Sequence, residues 1–451
     1  MKDDRSTAAR MRDPGIRALY RLENRWQAWL DVEVALARAQ ADLGVIPQEA
    51  VEPIARSAKL ELLDRARIDE AAARTAHTLV PLVWELARVA GDPAGGWVHW
   101  GATTQNITQT GDLLVLRQAH RIFLRQLGTI LGAMGGLAER GAEMVIAART
   151  HGQHAVPATF GFKVATWIDE LLRHLERLRA AEPRIFVAML GGAAGTFASL
   201  GVTGPAVQEG VAKYLDMTPM RVPSRAIGDH LTEYVVLLGM LGATCGKIGR
   251  EVYTLMKTEF GEVEEPMPDG SVGSSTMPQK RNPVYCQDII ACAAEIRSVV
   301  PLALEAMQTE HEADRTTALM IREATARACI LTGDMLLRVG TIMEGLTLRP
   351  ERMRRNLDLG GGLIMAEAVM LQLGGAIGRQ HAHDVVHDAA QAAFVEGRSF
   401  AELLGADTRV TAHLDRAAIS GLLDPTHYTG LCAELARQAA GRAREAAVAL
   451  T

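Results

Sequence analysis

Three polar segments of this 451-residue chain carry residue types that can do chemistry. The densest is Gly270-Ser-Val-Gly-Ser-Ser-Thr-Met-Pro-Gln-Lys-Arg-Asn-Pro283. Residues 261–269 ahead of it are rich in Glu, Pro and Gly, so the whole stretch reads as one long flexible loop. Asn282-Pro283 reads as the N-cap and first position of the next helix. That would place Lys280 and Asn282 at a helix N-terminus, where free N–H groups and the dipole favour an anion. Gly273-Ser274-Ser275 could expose further backbone donors. On residue types alone, a surface Gly/Ser loop ahead of an ordinary capped helix is the simpler account.

The second segment, Arg149-Thr150-His151-Gly152-Gln153-His154, falls between apolar helices. Either histidine could act as a general acid or base near neutral pH, although each taken singly reads more readily as a structural residue. The third segment, His99-Trp-Gly-Ala-Thr-Thr-Gln-Asn106, follows a glycine-rich stretch. Its hydroxyls and amides can hold carboxylate oxygens by hydrogen bonds without adding charge. A helix start capped by Thr103 or Thr104 explains it equally well.

The elements that must position these segments are helices. Hydrophobic residues make up 48% of the chain and aromatics only 4%, with Ala, Leu and Gly dominant, which favours close-packed helices over β-sandwiches. Residues 24–43 place Trp29, Leu30, Val32, Val34, Ala35, Leu36 and Ala39 near helical spacing. Longer apolar patterns cover residues 162–179, 231–260, 284–308 (containing Pro301) and 321–348. Helices apolar on so much of their circumference need partners on several sides, which a long bundle and oligomerisation would supply. The expected fold class is all-α with three domains. An N-terminal helical domain spans residues 1–111, a central long-helix bundle 112–356, and a C-terminal helical domain 357–451, opening near Gly360-Gly361-Gly362.

Several function classes find no support. A formal charge of −5 without any Lys/Arg block gives no case for nucleic-acid binding. No uninterrupted apolar run approaches the ~20 residues of a membrane span, and the N-terminus lacks an apolar signal region. Five cysteines (Cys245, Cys286, Cys292, Cys329 and Cys432) with no CxxC pair suit a reduced, cytoplasmic protein. His381, His383 and His387 include an i,i+4 pair that could bind a metal, but a solvated helix face is the better account, and no metal is expected. Gly191-Gly-Ala-Ala-Gly195 reads as small residues that let helices approach rather than as a phosphate loop.

Together the three segments resemble the fumarase/aspartase superfamily, the lyases that include fumarase, argininosuccinate lyase and adenylosuccinate lyase. Residues Gly273 to Pro283 fit that superfamily's signature, GSSxMPxKxNP, at every fixed position. Trp29-Leu-Asp-Val-Glu-Val-Ala-Leu-Ala, Val98-His-Trp-Gly-Ala-Thr, Arg149-Thr-His-Gly-Gln and Asn356-Leu-Asp-Leu-Gly occur in the expected order, so the resemblance covers nearly the whole chain. The branch most resembled holds 3-carboxy-cis,cis-muconate cycloisomerase and adenylosuccinate lyase. His77-Thr-Leu-Val-Pro-Leu-Val and Gln308-Thr-Glu-His-Glu312 lean towards the cycloisomerase side.

The resemblance implies that Ser274 is a general base that removes a proton from a carbon beside a carboxylate. Closure of its loop would desolvate the hydroxyl among donors that stabilise the alkoxide. Lys280 and Asn282 would stabilise the carbanion delocalised into the carboxylate. His151 would protonate the leaving nitrogen or oxygen, with His99 in support. Thr103, Thr104, Gln105, Thr150, Gln153, Ser275 and Met277 fall at substrate-binding positions. Arg322 lies near an anion-binding arginine of adenylosuccinate lyases. No cofactor is implied. The implied partners are a small dicarboxylate or tricarboxylate and three further copies of the chain, in a homotetramer whose sites are shared between subunits.

Three departures stand out. Asn106 replaces an expected aspartate, Gln279 a frequent histidine, and Gln287 a glutamate thought to polarise the catalytic histidine. Residues 5–20 also lack the Arg-Tyr pair that adenylosuccinate lyases use for the nucleotide phosphate, which argues against a purine substrate. The expected reaction is β-elimination from a succinyl-type substrate to give fumarate or a substituted fumarate. Lactonising cycloisomerisation is the alternative. A catalytically silent relative, as among lens crystallins, is disfavoured by the intact set of Ser274, Lys280, Asn282 and His151.

Overall fold

The structure is a computed structural model that describes residues 3–450. Helices dominate it, as the composition requires; the strands among the described residues form only three two-stranded pairs. The longest helices are Leu22–Asp42, Thr104–Arg140, Phe160–Ile185, Asp229–Leu255 and Arg315–Gly345. The pattern over 284–308 is two helices, Val284–Ser298 and Val300–Glu305, with Pro301 in the first turn of the second. Proline lacks the N–H a helix interior needs and is tolerated there. By length and composition Asp229–Leu255 could cross a membrane, but 61% of its most apolar stretch is buried inside the protein, as in a core helix.

The chain divides into two compact units, each assembled from three stretches. The first takes Met1–Gln126, His174–Cys245 and Ala291–Leu337. Its helix Leu22–Asp42 packs against Gly204–Tyr214, and a Cβ on Gly210 would sit 2.8 Å from the Ala39 Cβ, so the glycine permits that approach. Trp26, Trp29, Leu36, Leu86, Val115, Val207 and Val211 form the core between these elements. The Trp29 indole N–H donates to Asp112 Oδ1 at 3.2 Å, and Arg25 stacks 5.1 Å from the indole while giving two hydrogen bonds to the same aspartate.

The second unit takes Leu127–Arg173, Gly246–Ile290 and Arg338–Thr451. Helices Ala366–Ile377, Arg379–Glu396 and Phe400–Ala406 enclose Val369, Leu373, Val385, Val386, Phe400 and Leu404. Each such side chain contributes roughly 1.5–3 kcal/mol of burial.

The glycine-rich run 191–195 departs from expectation. It lies in a loop rather than between helices, and a Cβ on Gly191 or Gly195 would strike Pro223 at 2.8 or 2.7 Å. These glycines let two loops touch. His381, His383 and His387 stand on an exposed helix face, with the last two rings stacked at 6.0 Å. Among the described residues no group of three His, Cys, Asp or Glu could hold a metal. All five cysteines are free, four of them buried.

Candidate active site

The second segment is not a break between helices. It is the tip of a β-hairpin, Val145–Thr150 paired antiparallel with Gln153–Thr159. The turn is His151-Gly152, with φ of +54° and +78°. Positive φ at both positions is the type I′ turn, whose twist matches that of the strands. Glycine meets that freely; a histidine held there stores roughly 1–3 kcal/mol of strain, a feature that clusters at functional sites. The turn projects His151 and Gln153 into solvent and puts Thr150 opposite Gln153. His154 sits lower, half-buried opposite Arg149; burial first, then the Arg149 charge, lowers its pKa.

Arg149 anchors the hairpin. Its guanidinium makes a two-pronged pair with the fully buried Glu262 (2.6 and 3.0 Å) and lies 4.7 Å from the Phe260 ring. Asn356 Nδ2 donates to Glu262 at 2.7 Å and to the Phe260 carbonyl at 2.9 Å. Two of the motif residues, Arg149 and Asn356, therefore converge on one carboxylate. Glu262 in turn adjoins the short strand Val263–Glu264, from which the Ser274 loop departs.

That loop is folded back on itself. Asn282 Nδ2 donates to the Gly273 carbonyl at 2.6 Å, and a Cβ on Gly273 would fall 1.9 Å from the Lys280 carbonyl oxygen. Only glycine fits. The closed turn leaves Ser274 half-buried, its Oγ accepting from the backbone N–H groups of Thr276 (3.3 Å) and Met277 (3.1 Å). Two donors on a hydroxyl oxygen favour its deprotonated form. Ser275, Met277 and Lys280 are exposed, and Lys280 has no ion-pair partner among the described residues. Arg281 beside it pairs with Glu264.

One expectation fails here. Asn282 does not cap the following helix, and that helix offers no free anion site. The helix begins at Val284, and the N–H groups of Tyr285 and Cys286 are taken by the two oxygens of the buried Glu265 at 3.1 Å each. Burial raises the Glu265 pKa while these donors oppose the rise. Within this stretch, an anion at the Ser274 loop would find the loop's own donors and Lys280 rather than the helix start.

In the first unit, His99 has φ +64° and gives Nδ1 to Glu33 Oε1 at 2.6 Å; that carboxylate is buried. Burial alone would lower the His99 pKa, but the hydrogen bond and charge of Glu33 outweigh it, so the net shift is upward. Nε2 has no protein partner among the described residues. Helix Thr104–Arg140 begins just beyond. Asn106, fully buried, reaches back to the N–H of Thr103 (3.0 Å) and across to that of Gly192 (3.2 Å), the return half of a capping box. Its oxygen performs as acceptor what a carboxylate would, so the departure from aspartate preserves the backbone at Thr103. Thr104 Oγ1 lies 3.4 Å from His77 Nε2, and His77 Nδ1 accepts from the N–H groups of Leu79 and Val80.

Gln105 and Arg322 line one cavity of about 140 Å³ within this unit, together with Arg25, Gln109 and Arg225. His99, Thr103 and Thr104 do not line it. The structure thus groups Ser274, Met277 and Asn282 in one folded loop, and Gln105 with Arg322 around one cavity. Gln287 is exposed at the start of its helix.

The profile of the Lyase family matches residues 10–298, and that of the adenylosuccinate lyase C-terminus matches residues 362–439. The chain belongs to the fumarase/aspartase superfamily of lyases. This lyase is 38% identical to the N-acetyl-S-(2-succino)cysteine lyase of Enterococcus italicus, over 93% of its own length and 92% of the relative's. It is 40% identical to the 3-carboxy-cis,cis-muconate cycloisomerase of Pseudomonas aeruginosa, over 92% and 91%. The crystal structure of the 3-carboxy-cis,cis-muconate lactonizing enzyme from Pseudomonas putida superposes with a TM-score of 0.89 at 35% identity, over 98% of this lyase and 99% of that chain.

Sequence reasoning missed several residues of this lyase. Glu33 was visible only as part of a helical motif, yet it holds His99. Arg225 reaches the cavity from outside the three polar segments, and Gln109 lies three residues beyond the end of the third. The hairpin did leave a signal, a His-Gly pair between short β-prone runs, which the helical surroundings and Pro157 obscured.

Proposed function

We propose that this lyase catalyses β-elimination from a succinyl-type dicarboxylate, releasing fumarate or a substituted fumarate by C–N, C–O or C–S cleavage. Ser274, as the alkoxide, takes the proton from the carbon beside one carboxylate. The electron pair moves into that carboxylate, where Lys280 and loop N–H groups, with Ser275, Met277 and Asn282 around them, meet the added charge. The pair then returns to form the double bond and expels the leaving atom on the neighbouring carbon, which takes its proton from His151. Thr103 and Thr104, backed by His99, with Thr150 and Gln153, hold the second carboxylate.

The observation that supports this best is the pair of backbone N–H groups on Ser274 Oγ, which stabilises an alkoxide otherwise too basic to form near neutral pH. The relatives support the reaction class, since one acts on a succinocysteine. The complete site is assembled from segments of different subunits of a homotetramer built around residues 112–356, and the enzyme works in the cytoplasm, where its free cysteines persist. Lactonisation of a carboxymuconate is the second reading, favoured by the similarity to the cycloisomerases.

A spectrophotometric screen of the purified protein against succinyl amines, succinyl thioethers, adenylosuccinate and carboxymuconate separates the two. Growth of fumarate absorbance selects elimination. Loss of the conjugated diene selects lactonisation, and no change with any of them sinks both.

A further inference from the structure

The cavity of the first unit holds groups that the elimination step does not use. Arg25 is neutralised by two hydrogen bonds to Asp112, 3.0 and 2.7 Å. Arg225 and Arg322 are different: neither forms an ion pair among the described residues. Arg225 gives Nε to Gln105 Oε1 at 3.1 Å and Nη1 to the Ala193 carbonyl at 2.8 Å. Gln105 Nε2 answers by donating to the Arg225 carbonyl at 3.0 Å and to Gln109 Oε1 at 2.9 Å. A guanidinium can only donate, so it fixes which way the Gln105 amide points, and the amide in turn fixes Arg225. Arg225 is held in place before any ligand arrives.

The charge in this cavity wants a counter-ion. Burial lowers the pKa of Arg225. Although much of the Arg322 side chain is exposed, partial burial of its head group, followed by the Arg25 charge, lowers its pKa too. The Asp112 and Glu323 charges offset this only in part for Arg322, and an anion in the cavity would relieve the remaining cost of holding cations beside protein. The remaining walls include Ile227, Leu231 and Ile321, suited to a short apolar body. A space of about 140 Å³ takes something near the size of benzene, well below the roughly 300–1,000 Å³ of sites for larger ligands.

We propose that this cavity receives the part of the substrate remote from the breaking bond, and that this part is small, partly apolar and carries its own carboxylate, gripped by Arg225 and Arg322. The inference rests on the elimination reading for what the substrate is, but the grip on a carboxylate does not depend on it. The leaving group is then a small amino, hydroxy or thiol acid rather than a nucleotide.

The test has two arms. Calorimetry measures binding of methylthiopropionate and of its neutral amide to the wild-type protein, Arg322→Gln and Arg225→Gln. The acid should bind roughly ten- to a hundredfold more tightly than the amide, and each variant should lose most of that preference. Equal binding of acid and amide, or variants with the preference intact, overturns the proposal. Arg322 is exposed, so Arg322→Gln carries this arm even where Arg225→Gln fails to fold. The second arm follows fumarate release from the succinate thioethers of mercaptopropionate and its amide. Binding of the acid without turnover of either thioether keeps the carboxylate grip and removes C–S cleavage from the elimination reading. Turnover of both at equal kcat/KM keeps elimination and overturns the grip.

Discussion

Replacing Gly273 by alanine inserts a methyl group where the Ser274 loop has no room. The new Cβ would lie 1.9 Å from the Lys280 carbonyl oxygen, while ordinary Cβ contacts begin near 3.4 Å, so the two sides of the loop must part by 3.4 − 1.9 = 1.5 Å. A displacement of that size along the Asn282–Gly273 hydrogen bond stretches it from 2.6 to about 4.1 Å, beyond bonding distance. Ser274 is the next residue and moves with the opened turn. Misplacing a reacting group by about 1 Å costs on the order of 100-fold in rate. Stability should fall little, because one hydrogen bond in an exposed loop is worth about 0.5–1.5 kcal/mol. The assay is fumarate release at saturating substrate, with thermal melting followed by circular dichroism on the same samples. Val272→Ala, at a side chain 80% exposed, is the control. Wild-type turnover by a folded Gly273→Ala protein would refute the claim that the closed loop is the working conformation.

Glu33→Gln removes the charge that raises the His99 pKa above its ordinary 6.5. A group with a raised folded pKa stabilises fully below its unfolded pKa and loses that contribution as pH rises through the folded value. The stability deficit of Glu33→Gln in urea unfolding should therefore be largest near about pH 5 and shrink towards about pH 8; a deficit that grows with pH contradicts the assignment. Glu262→Ala leaves the Arg149 guanidinium and Asn356 without their shared partner and should destabilise the protein by about 3–5 kcal/mol, read as a lower unfolding midpoint.

How much of this was legible depended on the range over which each residue acts. The helices announced themselves because apolar spacing is local, and Trp29 to Ala39 carries it within three turns. Gly273, Ser274 and Asn282 were legible because their dense signature packs one closed turn into eleven residues, and the structure supplies the reason for the density. Reading Asn282 as a helix cap failed for a non-local reason: Glu265, 20 residues before Tyr285, folds over the helix start and occupies its donors. The partners of His99 and Gln105 lie 66 and 120 residues away, at Glu33 and Arg225, and no spacing rule links such distant positions. Arg149 and Asn356 matched the superfamily's motifs, but only coordinates reveal that both serve Glu262.

The central claim is that Ser274 removes the proton. Its most direct test is turnover of Ser274→Ala at substrate concentrations that saturate the wild type, with helix content and assembly size measured alongside. The expected result is a loss of about 100- to 10,000-fold in kcat with fold and assembly intact. Wild-type turnover by that variant would contradict it.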